Sequence, residues 1–272
     1  MRGLALILVT GVVMLAASSL RQRLVDSMVF QPTRGVDLRP EQLGIAGEEV
    51  YLETEDGIRI HGFYLPSAGA TRALLFLPGN AGNASHRLPN AAELAGLGVH
   101  VLLLDYRGYG ASEGSPSEAG AYADGRAGLE HLVAHRGIPE HRIALFGRSL
   151  GGAVAVDLAV DRDLAGVILE STFPSMQAVA RSLFGSLLAR LAAGKFESSR
   201  KISRVRAPLL FFHGDRDGII DFELGRQLFE AAPEPKSFET LRGAGHNDTV
   251  MVGGRAYFAR IRRFLDEVAP ER

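Results

Sequence analysis

Residues 145–152 read LFGRSLGG, which sets Ser149 between Gly147 and Gly151. A serine at its ordinary pKa is a poor nucleophile. It attacks a carbonyl only with a base beside it and a carboxylate orienting that base. The chain offers both further on, in the order acid then histidine. FFHGDRDGIID carries Asp215, Asp217 and Asp221, and LRGAGHND carries His246 in a glycine-rich stretch. These residue types point to acyl transfer through a covalent intermediate. Gly-x-Ser-x-Gly decides little by itself, because a serine at a helix start can be a plain N-cap. An N-cap, however, needs no glycine on both sides, so the surrounding elements must decide.

Those elements alternate. EEVYLETEDGIRIHGFYLP reads as two strands joined by a turn at Glu55-Asp56-Gly57. Apolar strands follow within 72–79, 99–110, 142–147, 166–172, 207–215 and 236–241. Helical patterns occupy 85–97, 117–136, 149–160, 221–231 and 248–268. Apolar strands interleaved with helices predict an α/β fold, with a mostly parallel eight-stranded sheet covered by helices on both faces. Ser149 then falls where a buried strand turns into a helix, the setting of a nucleophile elbow. A Cβ at position 147 or 151 would strike backbone in so tight a turn, and the serine itself must adopt a strained conformation. The helix beneath it aims its amide dipoles at a developing oxyanion. The acids and His246 fall at the C-terminal ends of strands, where active-site loops of open α/β sheets gather.

Residues 173–206 are an addition between two core strands. Met176, Val179, Ala180, Leu183, Phe184, Leu187, Leu188 and Leu191 recur at helical spacing. This is read as a helix on the sheet, a short cap over a pocket, or both.

Composition bounds the function. The 272 residues suit one domain with a sizeable core. A net charge of −1 gives no reason to expect nucleic acid as a partner. The absence of cysteine excludes disulfides, thiolate catalysis and Cys-based metal sites. At the N-terminus, residues 4–20 carry no charge and are flanked by Arg2, Arg21 and Arg23. Residues 1–23 are expected to be a membrane anchor of near-minimal length, with a cleaved secretory signal and a buried helix as alternatives. Residues 24–47 read as a linker and 48–272 as the folded domain. A chain beginning near Glu48 is therefore expected to keep its activity.

LFLPGNAGNASHR, LLLDYRGYGASEG, GRSLGG, FFHGDRDGIID and GAGHND, in that order, make residues 48–268 resemble the α/β-hydrolase superfamily. Within it the chain is similar to the membrane-anchored abhydrolase, serine-aminopeptidase-like branch. The resemblance implies a Ser-His-Asp triad of Ser149, His246 and Asp217, the last standing four residues after His213 of the His-Gly pair. Asp215 and Asp221 compete for that place, and His213 is expected to be structural. The implied oxyanion hole uses the backbone N–H groups of Leu150 and Asn80. Pro78-Gly79 stands where the family commonly has His-Gly, although position 78 is not the expected donor. GNAGN lacks the Gly-Lys-Ser/Thr ending of a phosphate loop.

Other residues carry milder expectations. His131 and His135 are read as solvated surface histidines, and Asp105 with Arg107 as a pair steadying a loop. Arg148 could meet an acidic substrate group, and Glu170 is placed near the pocket without a role. The expected function is a serine hydrolase needing no metal or organic cofactor and acting on an ester or thioester, with a lipid-like acyl substrate favoured. A serine peptidase on short peptides and a non-catalytic, membrane-tethered binding protein are the alternatives.

Overall fold

The computed structural model describes residues 20–271. Its sheet contains β1 (Glu48–Glu53), β2 (Arg59–Leu65), β3 (Ala73–Leu77), β4 (His100–Leu104), β5 (Ile143–Arg148), β6 (Gly166–Glu170), β7 (Leu209–Gly214) and β8 (Lys236–Leu241). The spatial order is β1-β2-β4-β3-β5-β6-β7-β8. β2 runs antiparallel to both β1 and β4, and every other pairing is parallel. The helices are α1 (20–29), α2 (Leu88–Ala95), α3 (Glu118–Glu130), α4 (Leu150–Ala159), α5 (Met176–Ala189), α6 (Ser198–Lys201), α7 (Phe222–Ala231) and α8 (Thr249–Val268).

Alternation along the strands feeds two cores. Leu75, Leu77, Leu145, Leu169 and Phe211 pack on one face with Leu129 of α3, Val154 of α4 and Leu228 of α7. Leu74, Phe76, Phe146, Ile168 and Phe212 pack on the other with Leu88 of α2 and Tyr257, Ile261 and Phe264 of α8. Buried on both sides, these strands have no polar face, which is why they read as continuous apolar runs. Each such buried side chain contributes about 1.5–3 kcal/mol of hydrophobic stabilisation.

Between β6 and β7, Phe196, Ile202 and Val205 join the core, whereas α5, the cap helix, is mostly exposed. Along α5 only Val179 and Ala189 are buried, and the helix breaks at Gly185 (φ 80°, ψ 174°). A left-handed φ of this kind costs glycine nothing.

Residues 24–47 do not behave as a detached linker. Val25 and Phe30 are buried. Gln31 and Pro32 form a parallel ladder with Ala81 and Gly82. Among the described residues no helix is long and apolar enough to cross a membrane. The stretch read as an anchor or signal lies, apart from its last residues, outside the described residues.

Candidate active site

The turn at Ser149 has the geometry its glycines foretold. Ser149 sits at φ 53°, ψ −117° between β5 and α4. A Cβ at Gly147 would lie 2.5 Å from the Gly151 carbonyl oxygen, and one at Gly151 would lie 1.9 Å from the Leu77 carbonyl oxygen. Both contacts are with backbone, so neither can relax by a side-chain rotation. The Ser149 amide donates to the Glu170 carbonyl at 2.8 Å. Its own carbonyl accepts from Thr172 Oγ1 at 2.9 Å. The strained turn is thereby held from the neighbouring strand on both sides of the peptide.

His246 and Asp217 meet directly. His246 Nδ1 lies 2.7 Å from Asp217 Oδ2. The other carboxylate oxygen, Oδ1, accepts from the amides of Ile219 and Ile220 at 2.9 and 2.8 Å. Burial alone would raise the pKa of Asp217. Hydrogen bonds from His213, His246 and the Ile220 backbone outweigh that, and hold the carboxyl well below its usual range. The two competing acids are engaged elsewhere: Asp215 accepts from Gly243 N, and Asp221 caps α7 through Glu223 N. His213 has the structural place expected of it, with Nε2 donating to the Ile220 carbonyl at 2.9 Å.

Gly79 brings the loop after β3 against the turn at Ser149, where an added Cβ would lie 3.4 Å from Ser149 Cβ. Among the described residues, the backbone N–H groups of Asn80 and Leu150 donate no hydrogen bond. Ser149, Leu150 and Asn80 share the wall of one cavity of about 460 Å³. Apart from Gln31, the remaining lining is apolar and comes from three places: Val25, Met28 and Val29 of α1, apolar residues of the cap such as Phe173, Val179, Phe184 and Leu188, and Ile219-Ile220 after β7. None of the described lining residues carries a charge.

Several roles differ from their sequence readings. Arg148 does not line the cavity. Its Nε pairs with Glu170 Oε1 at 3.0 Å, both side chains being buried, and its Nη2 donates to the His246 carbonyl. Glu170 lies behind the site and not in the pocket wall, accepting from Thr249 Oγ1 at 2.9 Å and Tyr257 OH at 2.5 Å. Asp105 and Arg107 do not pair with each other. Asp105 meets the buried His61 Nδ1 at 2.8 Å, and Arg107 bridges Asp56 and Asp124 at 2.7 and 2.9 Å. His131 is half-buried, not solvated, and its Nε2 accepts from Arg136 Nε at 3.1 Å.

Sequence reasoning passed over the tyrosines of the same loop. Tyr106 OH donates to the Pro78 carbonyl at 3.2 Å, and Tyr109 OH donates to the Asn80 carbonyl at 2.6 Å. The Asn80 side chain also donates to the Val29 carbonyl at 2.8 Å. The loop over Ser149 is thus pinned by β4's exit on one side and α1's end on the other. Tyr106 and Tyr109, three apart in DYRGYG, were visible in the sequence; their target was not.

This architecture agrees with known proteins. A family model described as "Serine aminopeptidase, S33" matches residues 69–200. An uncharacterized protein of Mycobacterium tuberculosis is 41% identical over 96% of this chain and 92% of its own length. The alpha/beta hydrolase domain-containing protein WAV2 of Arabidopsis thaliana is 32% identical over 98% of this chain and 93% of its own. Among solved structures, an esterase of Pyrococcus furiosus shares the fold with a TM-score of 0.74 at 20% identity, covering 89% of this chain and 98% of that one. The chain belongs to the α/β-hydrolase family.

Proposed function

We propose that this α/β hydrolase is a serine hydrolase cleaving esters or thioesters of lipophilic acyl groups. Ser149 Oγ attacks the substrate carbonyl while His246 takes its proton. Asp217 holds the imidazole through Nδ1 and stabilises the imidazolium. The Leu150 and Asn80 amides receive the oxyanion in a tetrahedral intermediate. His246 returns the proton to the leaving group, and water, activated by the same histidine, then clears the acyl-enzyme.

What supports this reading is Ser149 in a strained left-handed turn, on the wall of a mostly apolar cavity that Leu150 and Asn80 also line. The absence of charge in the described lining favours an acyl chain over a free peptide amino terminus, which would call for an acid. Residues 4–20 are proposed to hold the enzyme at a membrane, where such substrates reside.

Labelling by a fluorophosphonate probe tests the chemistry. Wild type is expected to label, and Ser149→Ala and His246→Ala are not. A well-folded wild type that resists the probe would sink the proposal in favour of a non-catalytic binding protein.

A further inference from the structure

The cavity mouth is apolar outside as well as inside. On α1, Leu20, Leu24 and Met28 are 71%, 50% and 57% exposed, four residues apart along one stripe. On the cap, Phe184, Leu187 and Leu188 are 56%, 76% and 51% exposed. Met28, Phe184 and Leu188 also line the cavity, so this surface is the cavity's own rim. Exposed apolar residues scattered singly are ordinary, whereas a contiguous rim around a pocket marks an interaction surface.

Charge indicates what covers it. The exposed charged residues of α1, α5 and the turn after α5 are Arg21, Arg23, Arg181 and Arg190. The acid on these elements, Asp26, is taken up by the buried Lys195 at 2.9 Å. An apolar stripe edged by arginines matches a bilayer with anionic headgroups, each cation near such a surface adding about 1 kcal/mol. Residues 4–19, uncharged throughout, lead directly into α1. Their insertion in a bilayer would set α1, and with it the cavity mouth, at the lipid–water boundary.

We infer that α1 and α5 dock the cavity mouth on an anionic bilayer, so that an acyl chain passes from lipid into the cavity without crossing water. The inference takes its substrate from the hydrolase reading above, but docking can be observed without hydrolysis.

The chain contains no tryptophan, so Leu187→Trp in the full chain is a single reporter. Vesicles of phosphatidylcholine and phosphatidylglycerol with brominated acyl chains should shift its emission to the blue and quench it, more than phosphatidylcholine alone. In parallel, Leu24→Glu with Leu187→Glu changes two rim residues that do not line the cavity. That variant should hydrolyse p-nitrophenyl acetate in solution at the wild-type rate, and p-nitrophenyl palmitate held in vesicles roughly tenfold more slowly. A reporter indole that stays unshifted and unquenched on vesicle-bound protein overturns the inference. So does a blue shift without vesicles that grows with protein concentration, which would give the rim to a second copy of the chain. Equal loss on both esters overturns it too. A wild type inactive on both esters counts against the hydrolase reading, and the fluorescence still decides docking.

Discussion

Arg148 Nη2 donates to the backbone carbonyl of His246 at 2.6 Å, joining residues 98 apart in sequence. The proposed base therefore hangs from the residue next to the proposed nucleophile. Arg148 is itself held by Glu170, and the pair is buried. Removing the cation strands the Glu170 carboxylate, a loss of about 3–5 kcal/mol. Arg148→Met should lose stability on that scale in urea and label slowly with a fluorophosphonate. Adding Glu170→Gln should recover part of the stability but not the labelling rate. Wild-type labelling by the double variant would reduce Arg148 to a purely structural residue.

The positive φ of Ser149, 53°, is the second point to test. A non-glycine residue held there costs about 1–3 kcal/mol, while glycine adopts the region freely. Ser149→Gly should be more stable than Ser149→Ala by about 1 kcal/mol, with both inactive. Matching urea midpoints would show that the turn stores no strain.

Tyr109 holds residue 80 by donating to its carbonyl, and accepts from the Gln31 amide at 3.2 Å. Tyr109→Phe loses the hydroxyl and leaves the shape, for a stability loss of about 1 kcal/mol. Loosening a proposed oxyanion donor should lower kcat roughly tenfold with little change in KM. A change confined to KM would place Tyr109 in substrate binding instead.

His131 makes stability depend on pH. Burial first, then Arg136 and His135, push its pKa down from 6.5 to about 4. Between those values the unfolded chain binds more protons than the folded one, so stability falls as pH drops through that window. His131→Gln can still accept from Arg136. It should lose less Tm than wild type on going from about pH 7 to pH 5. An identical loss would remove His131 from the acid response.

Much of the fold was legible because short-range rules govern it. The two-sided burial of strands such as 143–148 leaves an apolar run, and the tight turn at Ser149 demands glycines at 147 and 151. Side-chain partners were less legible. Asp105 and Arg107 sit two apart and invite pairing, but the strand ends at Leu104, so strand alternation no longer sets their directions and they reach His61 and Asp124 instead. Likewise α1 carries no sign that it walls a cavity, since, Gln31 aside, the residues that share that wall lie about 50 positions or more along the chain, from Asn80 to Ile220.

By itself the sequence determined the order of the core strands and the helices between them, and the glycine-flanked turn at Ser149, because each is set by local periodicity or local sterics. It left three acids as candidate partners of His246. Only the tertiary structure decided which acid meets His246, that Arg148 and Glu170 brace it from behind, and that α1 and the cap close one apolar cavity over Ser149. Those are contacts between distant segments. Their geometry follows from how the sheet is ordered and packed, and no neighbouring residue records it.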